Sequence, residues 1–194
     1  MRVVTWVYRI IDESNVWLNA RKLEDIGDYD EAAIAYLKDA ADSLKKGSLT
    51  RAGLSCSSAA DCLVKLDSDD LSRKLYAKAG TIYEKNADSA FGRSMREWLW
   101  SLQKAYENFL MGGETPKAEA VHNRYAHLAS KIDPLLQELE PLSPEPTSNL
   151  PSRTLGGAGP PEKVIDAVRR FLEQQTLLTE RSGAVPGEEA GGGR

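Results

Sequence analysis

The chain has 194 residues, of which 28% are charged and 41% hydrophobic, with a formal net charge of −4. That length can bury one good core with some to spare, and the composition excludes a basic nucleic-acid footprint and any apolar run of the roughly 18 residues that a membrane-spanning helix needs. Up to Ile132 there are 19 basic and 19 acidic side chains and beyond it 6 basic and 10 acidic, so the whole deficit lies in the C-terminal third.

The opening stretch, "MRVVTWVYRIIDES", lacks a small-residue cleavage site and runs at once into Asp12 and Glu13. A secretory signal is therefore not expected, and the default location is cytoplasmic. Val3, Trp6, Val7 and Ile10 make this start abruptly apolar. They imply either burial on the first helix pair or a contact between copies of the chain. Hydrophobic periodicity predicts helices over about 2–26, 29–46, 49–66, 69–87, 90–111 and 115–132, and no segment alternates as a strand would. The breaks fall at Gly27, Lys46-Gly47, Leu66-Asp67-Ser68, Ala87-Asp88-Ser89 and Gly112-Gly113. Asp28, Ser48, Ser68, Ser89 and Thr115 are available as N-caps. Pro116 falls in a first turn, where its missing N–H costs nothing.

Part of this text repeats. "GDYDEAAIAYLKDAA", from Gly27, lies over "GETPKAEAVHNRYAHLA", from Gly113, each with Gly and an acid before a short turn and Ala at the helix start. "LDSDDLSRKLYAKAGTIYEKNA" falls between them, with Leu71, Leu75, Ala79, Ile82 and Tyr83 in related places. Helix pairs that each bury one face and leave the other for a neighbour produce such a period. Small residues at the contacts, Ala33, Ala40, Ala79, Gly80 and Ala126, let helices approach while large ones fill the gaps opposite. On these residues, and on "KIDP" at 131–134, the stretch from about 14 to 134 resembles the tetratricopeptide repeat superfamily. Its long helices resemble in particular the helix pairs of soluble NSF attachment protein (SNAP-like) adaptors. The middle turn lacks the family's Gly and the Trp-Leu-Gly-Tyr signature is degenerate. The resemblance implies a right-handed stack of helical hairpins with a concave, partner-binding face.

Eight of the nine prolines lie at or beyond residue 134. The run from Pro134 to Pro161 reads as a Pro/Gly-rich linker; about 27 flexible residues span roughly 26–31 Å. Helical periodicity then resumes, with Val164, Ile165, Val168, Phe171 and Leu172 on one face. This amphipathic helix suits either of two roles: folding back to cap the last hairpin, or serving as a tethered ligand for a partner's groove.

Little in the sequence points to chemistry. Cys56 and Cys62, six apart, point about 120° away from each other on a helix and are read as small buried residues. His122 and His127 face about 140° apart, and Glu119 with His122 forms one Glu-x-x-His where a di-iron bundle needs two. No phosphate loop, nucleophile elbow or zincin motif occurs. No catalytic residue, metal or cofactor is expected. A partner-binding surface could draw on Asn15, Asn19, Arg51, Lys65 and Trp100, with a solvated charged face as the plainer reading.

The expected fold is all-α. Three stacked antiparallel hairpins form a tetratricopeptide-like right-handed solenoid over 1–133, followed by a linker over 134–160, an amphipathic helix over 161–181 and a disordered tail over 182–194. The expected role is a non-catalytic adaptor or scaffold binding a protein or peptide, with no nucleic acid and no membrane span. The alternatives are a homo-oligomer joined through the apolar N-terminal helix, and a helical-bundle enzyme or metal protein.

Overall fold

The computed structural model describes residues 15–132 and 159–182, with side chains through residue 127 in the first block and 174 in the second. The described residues are all-α: α1 Val16–Ile26, α2 Tyr29–Lys45, α3 Leu49–Lys65, α4 Asp69–Ala90, α5 Met95–Met111, α6 Thr115–Ile132 and α7 Glu162–Ser182. From α1 to α6 each helix packs on the next in chain order, and α7 packs on α2 and, less extensively, on α4. No described helix is long and apolar enough to cross a membrane.

Four of the five turns between α1 and α6 use one device. At Gly27, Gly47, Asp67 and Gly113 the backbone takes a positive φ, of 85°, 72°, 53° and 75°. The next amide then bonds to a carbonyl five residues back: Asp28 to Leu23 at 2.9 Å, Ser48 to Ser43 at 2.9 Å, Ser68 to Leu63 at 3.0 Å and Glu114 to Phe109 at 2.9 Å. This Schellman closure satisfies carbonyls that the helix end would leave bare. Asp28, Ser48 and Ser68 already stand at the N-cap positions of the following helices, though without a side-chain capping hydrogen bond. Reversal therefore uses almost no chain, and successive helices lie as antiparallel neighbours. Asp67 fills the left-handed position at the turn that lacks Gly; Asp is among the few residues that tolerate it.

Two expected boundaries are displaced. The helix expected over 2–26 has a start at Val16, because Asn15 is extended and its side chain accepts a hydrogen bond from the Leu18 amide at 3.3 Å. Residues 1–14, with Val3, Trp6, Val7 and Ile10, lie outside the described residues. The break expected at Ala87-Asp88-Ser89 is absent. Ala87 and Ala90 are buried against α5, so packing carries α4 onward, and Ser89 bonds back to the Lys85 carbonyl at 3.0 Å instead of capping. The chain turns at Phe91–Ser94, where Gly92 has a φ of 75° and Ser94 accepts from the Glu97 amide at 3.3 Å.

The core is built from small residues facing large ones. Ala33, Ala40 and Ala79 are fully buried as expected. Gly80 faces the Phe109 ring and Gly53 the Tyr83 ring, so closely that a Cβ would lie 2.7 Å and 2.8 Å from ring atoms. One apolar cluster joins α2, α3 and the first half of α4 to α7; the other joins the second half of α4 to α5 and α6. Ala126, expected at a contact, is exposed. The helix α6 packs chiefly on α5, and Ala126 lies off that contact.

The linker expected over 134–160 lies outside the described residues except for 159 and 160, as does the tail from 183. The last helix starts as Pro160 and Pro161 suggest. The Pro161 carbonyl accepts from Val164 at 2.8 Å and Ile165 at 3.3 Å.

Candidate functional site

The face shared by α2 and α4 is where a separate amphipathic helix sits on the hairpins. The buried cluster there includes α2 residues Ala32, Ala33, Leu37 and Ala40 and α4 residues Leu75, Tyr76, Ala79 and Ile82, together with residues of α1 and α3. Val164, Val168 and Phe171 of α7 complete that cluster, at 0%, 0% and 4% exposure, although residues 133–161 separate them from α6. Ala167 and Leu172 flank them, partly buried, and Ile165 is half-buried. The steps of four and three residues place the three anchors on one helical stripe. Alanine-rich α2 lets the larger anchors approach, in the same small-against-large manner as Gly80 and Phe109. Among the described residues the helix thus packs on α2 and α4 of its own chain, and no extensive contact joins it to α5 or α6.

The start of the seat is acidic. Asp30 and Glu31 lie in the first turn of α2, and Lys163 Nζ reaches both, at 2.7 Å from Asp30 Oδ2 and 2.6 Å from Glu31 Oε1. The Lys163 ammonium, and after it the Asp28 carboxyl, holds the Asp30 carboxyl down to about 2. Lys163 is raised in turn by Asp30 and then Glu31, while its hydrogen bond to Asp30 pushes Asp28 up. At the far end, Leu172 borders an open cleft of about 480 Å³ that also holds Arg73, Lys74, Lys78 and Lys117. Lys74 pairs with Asp70 at 2.6 Å and Lys117 with Glu114 at 3.1 Å. Half-buried Lys78 is shifted down, by burial first and by Lys85 second.

The five residues expected on a binding surface do not form one patch. Asn15 and Arg51 are brought together, with Arg51 Nη2 donating to Asn15 Oδ1 at 3.2 Å. Arg51 also grips nearly buried Asp39 through Nε at 3.0 Å and Nη2 at 2.7 Å, and Ser55 Oγ donates to the same carboxylate at 2.6 Å. This network ties the start of α1 to α2 and α3, a structural use. Asn19 is half-buried on α1. Lys65 is exposed in the last turn of α3, where a cation suits the helix dipole. Trp100, 38% exposed, stands edge-on to Tyr83 with centroids 5.6 Å apart. Among the described residues no contact joins Lys65 or Trp100 to the Asn15–Arg51 pair. The docking stripe Val164, Ile165, Val168, Phe171 and Leu172 was readable from period alone. Its receiving surface was not, although the lone Lys after Pro-Pro and the Asp-Glu pair opening α2 were visible signals.

Among the described residues no group of three or more His, Cys, Asp and Glu gathers closely enough to hold a metal ion. His122 lies against the Tyr106 ring at 5.2 Å between centroids, and Glu119 is exposed. Cys56 and Cys62 are buried free thiols.

No family model, curated protein or solved structure matches the chain.

Proposed function

We propose that the chain is a non-catalytic adaptor of tetratricopeptide-like build, a scaffold that holds an amphipathic helix from a partner protein across α2 and α4. The observation that carries this reading is α7 itself, whose Val164, Val168 and Phe171 are buried on that face. Helix-in-groove recognition uses this pattern of anchors on one stripe. A cytoplasmic setting fits two cysteines kept as free thiols.

In this reading α7 occupies the site in cis. A tethered helix competes at an effective concentration of about millimolar, so the intact chain binds a helix in trans poorly. The test uses the full chain with Val168→Asp and Phe171→Asp, which expels α7, and a fluorescent peptide of residues 160–182. Saturable binding to the variant, much tighter than to the unaltered chain, supports the reading. No binding to a variant that keeps its helical circular dichroism overturns it.

A further inference from the structure

We propose that the α2–α4 face selects helices by charge polarity: the bound helix must carry a cation in its first turn, ahead of the Val-x-x-x-Val-x-x-Phe stripe, to meet Asp30 and Glu31. This rests on the helix-binding reading above and specifies the partner chemistry that reading leaves open.

The placement of Lys163 is unfavourable for α7 alone. A cation in a helix's first turn faces the positive end of the helix dipole and destabilises that helix. Lys163 nonetheless stands second in α7, directly after Glu162. Its position makes sense against α2. There Asp30 and Glu31 sit in a first turn where the dipole favours acids. They are presented together, and one ammonium satisfies both at 2.7 Å and 2.6 Å. The two helices therefore set a favourable charge on α2 against an unfavourable one on α7, and docking reconciles them.

The contact also fixes direction. The apolar stripe by itself resembles its own reverse: a helix laid the other way still offers two Val-sized groups and an aromatic. The acid pair lies at one end of the seat; the cleft at the other, beside Leu172, is lined by Arg73, Lys74, Lys78 and Lys117 and by Asp70 and Glu114, which pair with Lys74 and Lys117 and leave it net basic. A reversed helix moves its leading cation to this net-basic end and leaves Asp30 and Glu31 unmatched. Rim charges of this kind contribute modest affinity but set orientation and partner choice.

The test uses the expelled variant, Val168→Asp with Phe171→Asp, and two peptides of residues 160–182, one native and one with Lys163→Glu. The native peptide is expected to bind roughly tenfold more tightly, with the gap closing in high salt. Adding Asp30→Lys and Glu31→Lys to the chain is expected to reverse the order. Equal binding of the two peptides overturns the charge rule and leaves the helix-binding reading standing. Failure of both peptides to bind overturns both. A second measurement avoids vacating the seat. In the otherwise unaltered chain, Lys163→Glu is expected to speed hydrogen exchange of α7 amides several-fold, and Asp30→Lys with Glu31→Lys to restore their protection. Unchanged exchange in Lys163→Glu, or no restoration, overturns the rule.

Discussion

Gly80 on α4 lies against the Phe109 ring on α5, and a Cβ there would sit 2.7 Å from Cδ1 and 2.8 Å from Cε1. Phe109 is fully buried, so the ring has no solvent to retreat into. The absence of one methyl group thus sets how closely α4 and α5 pack. Two effects oppose each other on substitution. Ala gains about 1 kcal/mol of helix propensity over Gly, while overpacking a tight core costs about 1–3 kcal/mol. Gly80→Val, with more bulk and less propensity, is expected to lose roughly 2 kcal/mol or more in urea unfolding, and Gly80→Ala less. Adding Phe109→Leu should recover part of the Val loss. An unchanged midpoint for Gly80→Val would show that the helices separate freely.

How much of this was legible in the sequence differs by feature. Helix existence followed from period, because one face of each helix is buried on its neighbour. The end of α4 did not. Ala-Asp-Ser reads as a break by local preference, but buried Ala87 and Ala90 reward continuing the helix, and tertiary packing outweighs propensity. The Gly92-Arg93-Ser94 turn was visible as text, yet it competed with a nearer polar cluster. Asn15 and Arg51 are candidates for a binding surface by sequence. The structure pairs Arg51 with Asp39 on α2 and with Asn15 ahead of α1, and pairing across helices cannot be read from spacing along one. The same limit hid the seat of α7, since the stripe states what is greasy and not what covers it.

The Asp39–Arg51–Ser55 network gives an ordering of losses. Asp39 is 5% exposed, and it accepts from Arg51 Nη2 at 2.7 Å and Ser55 Oγ at 2.6 Å. Arg51→Ala strands a nearly buried carboxylate and is expected to cost roughly 2 kcal/mol, below the range for fully buried pairs because the guanidinium is partly in water. Ser55→Ala leaves the ion pair intact and should cost about 1 kcal/mol. In the double variant Arg51→Ala with Asp39→Ala the losses should fall short of their sum. Additive losses would mean that the pair contributes no coupling.

The turn at Asp67 offers a stabilising change. Its φ of 53° is left-handed, which costs an L-residue roughly 1–2 kcal/mol, less for Asp. Gly removes that cost and adds unfolded-state entropy worth up to about 1 kcal/mol. The net expectation for Asp67→Gly is a gain of about 0.5 kcal/mol, seen as a small rise in melting temperature. Gly47→Ala, at a φ of 72°, should lose about 1 kcal/mol. A fall in melting temperature for Asp67→Gly would mean that the Asp side chain contributes more to the turn than its backbone strain removes.

Both thiols should be silent in the folded chain. Burial pushes Cys56 and Cys62 up to about 12, so at pH 8 almost none is thiolate. An aromatic disulfide reagent is expected to titrate no thiol in native protein and two in denaturant. Fast reaction of either in the native state would place it at the surface.

The docking of α7 has a pH signature whose sign follows from its end contact. Asp30 is depressed to about 2 from its ordinary 3.8, chiefly by Lys163. Its contribution is therefore complete above about pH 4 and lost as pH falls through 2. Lys163 is raised from 10.5, so its share is complete below that value and fades only in stronger base. Asp28, raised by Asp30, works in the opposite direction around pH 4 and softens the acid limb. The charges are partly in water and such pairs are weak, whereas each buried Val or Phe anchor contributes about 1.5–3 kcal/mol. Acid should therefore loosen α7 without releasing it. Hydrogen exchange of residues 162–174, corrected for its intrinsic pH dependence, is expected to speed modestly between pH 4 and pH 2. At pH 7, Val168→Asp with Phe171→Asp should abolish that protection outright. If acid alone released the helix as completely as those two substitutions, the charges rather than the apolar stripe would be holding it.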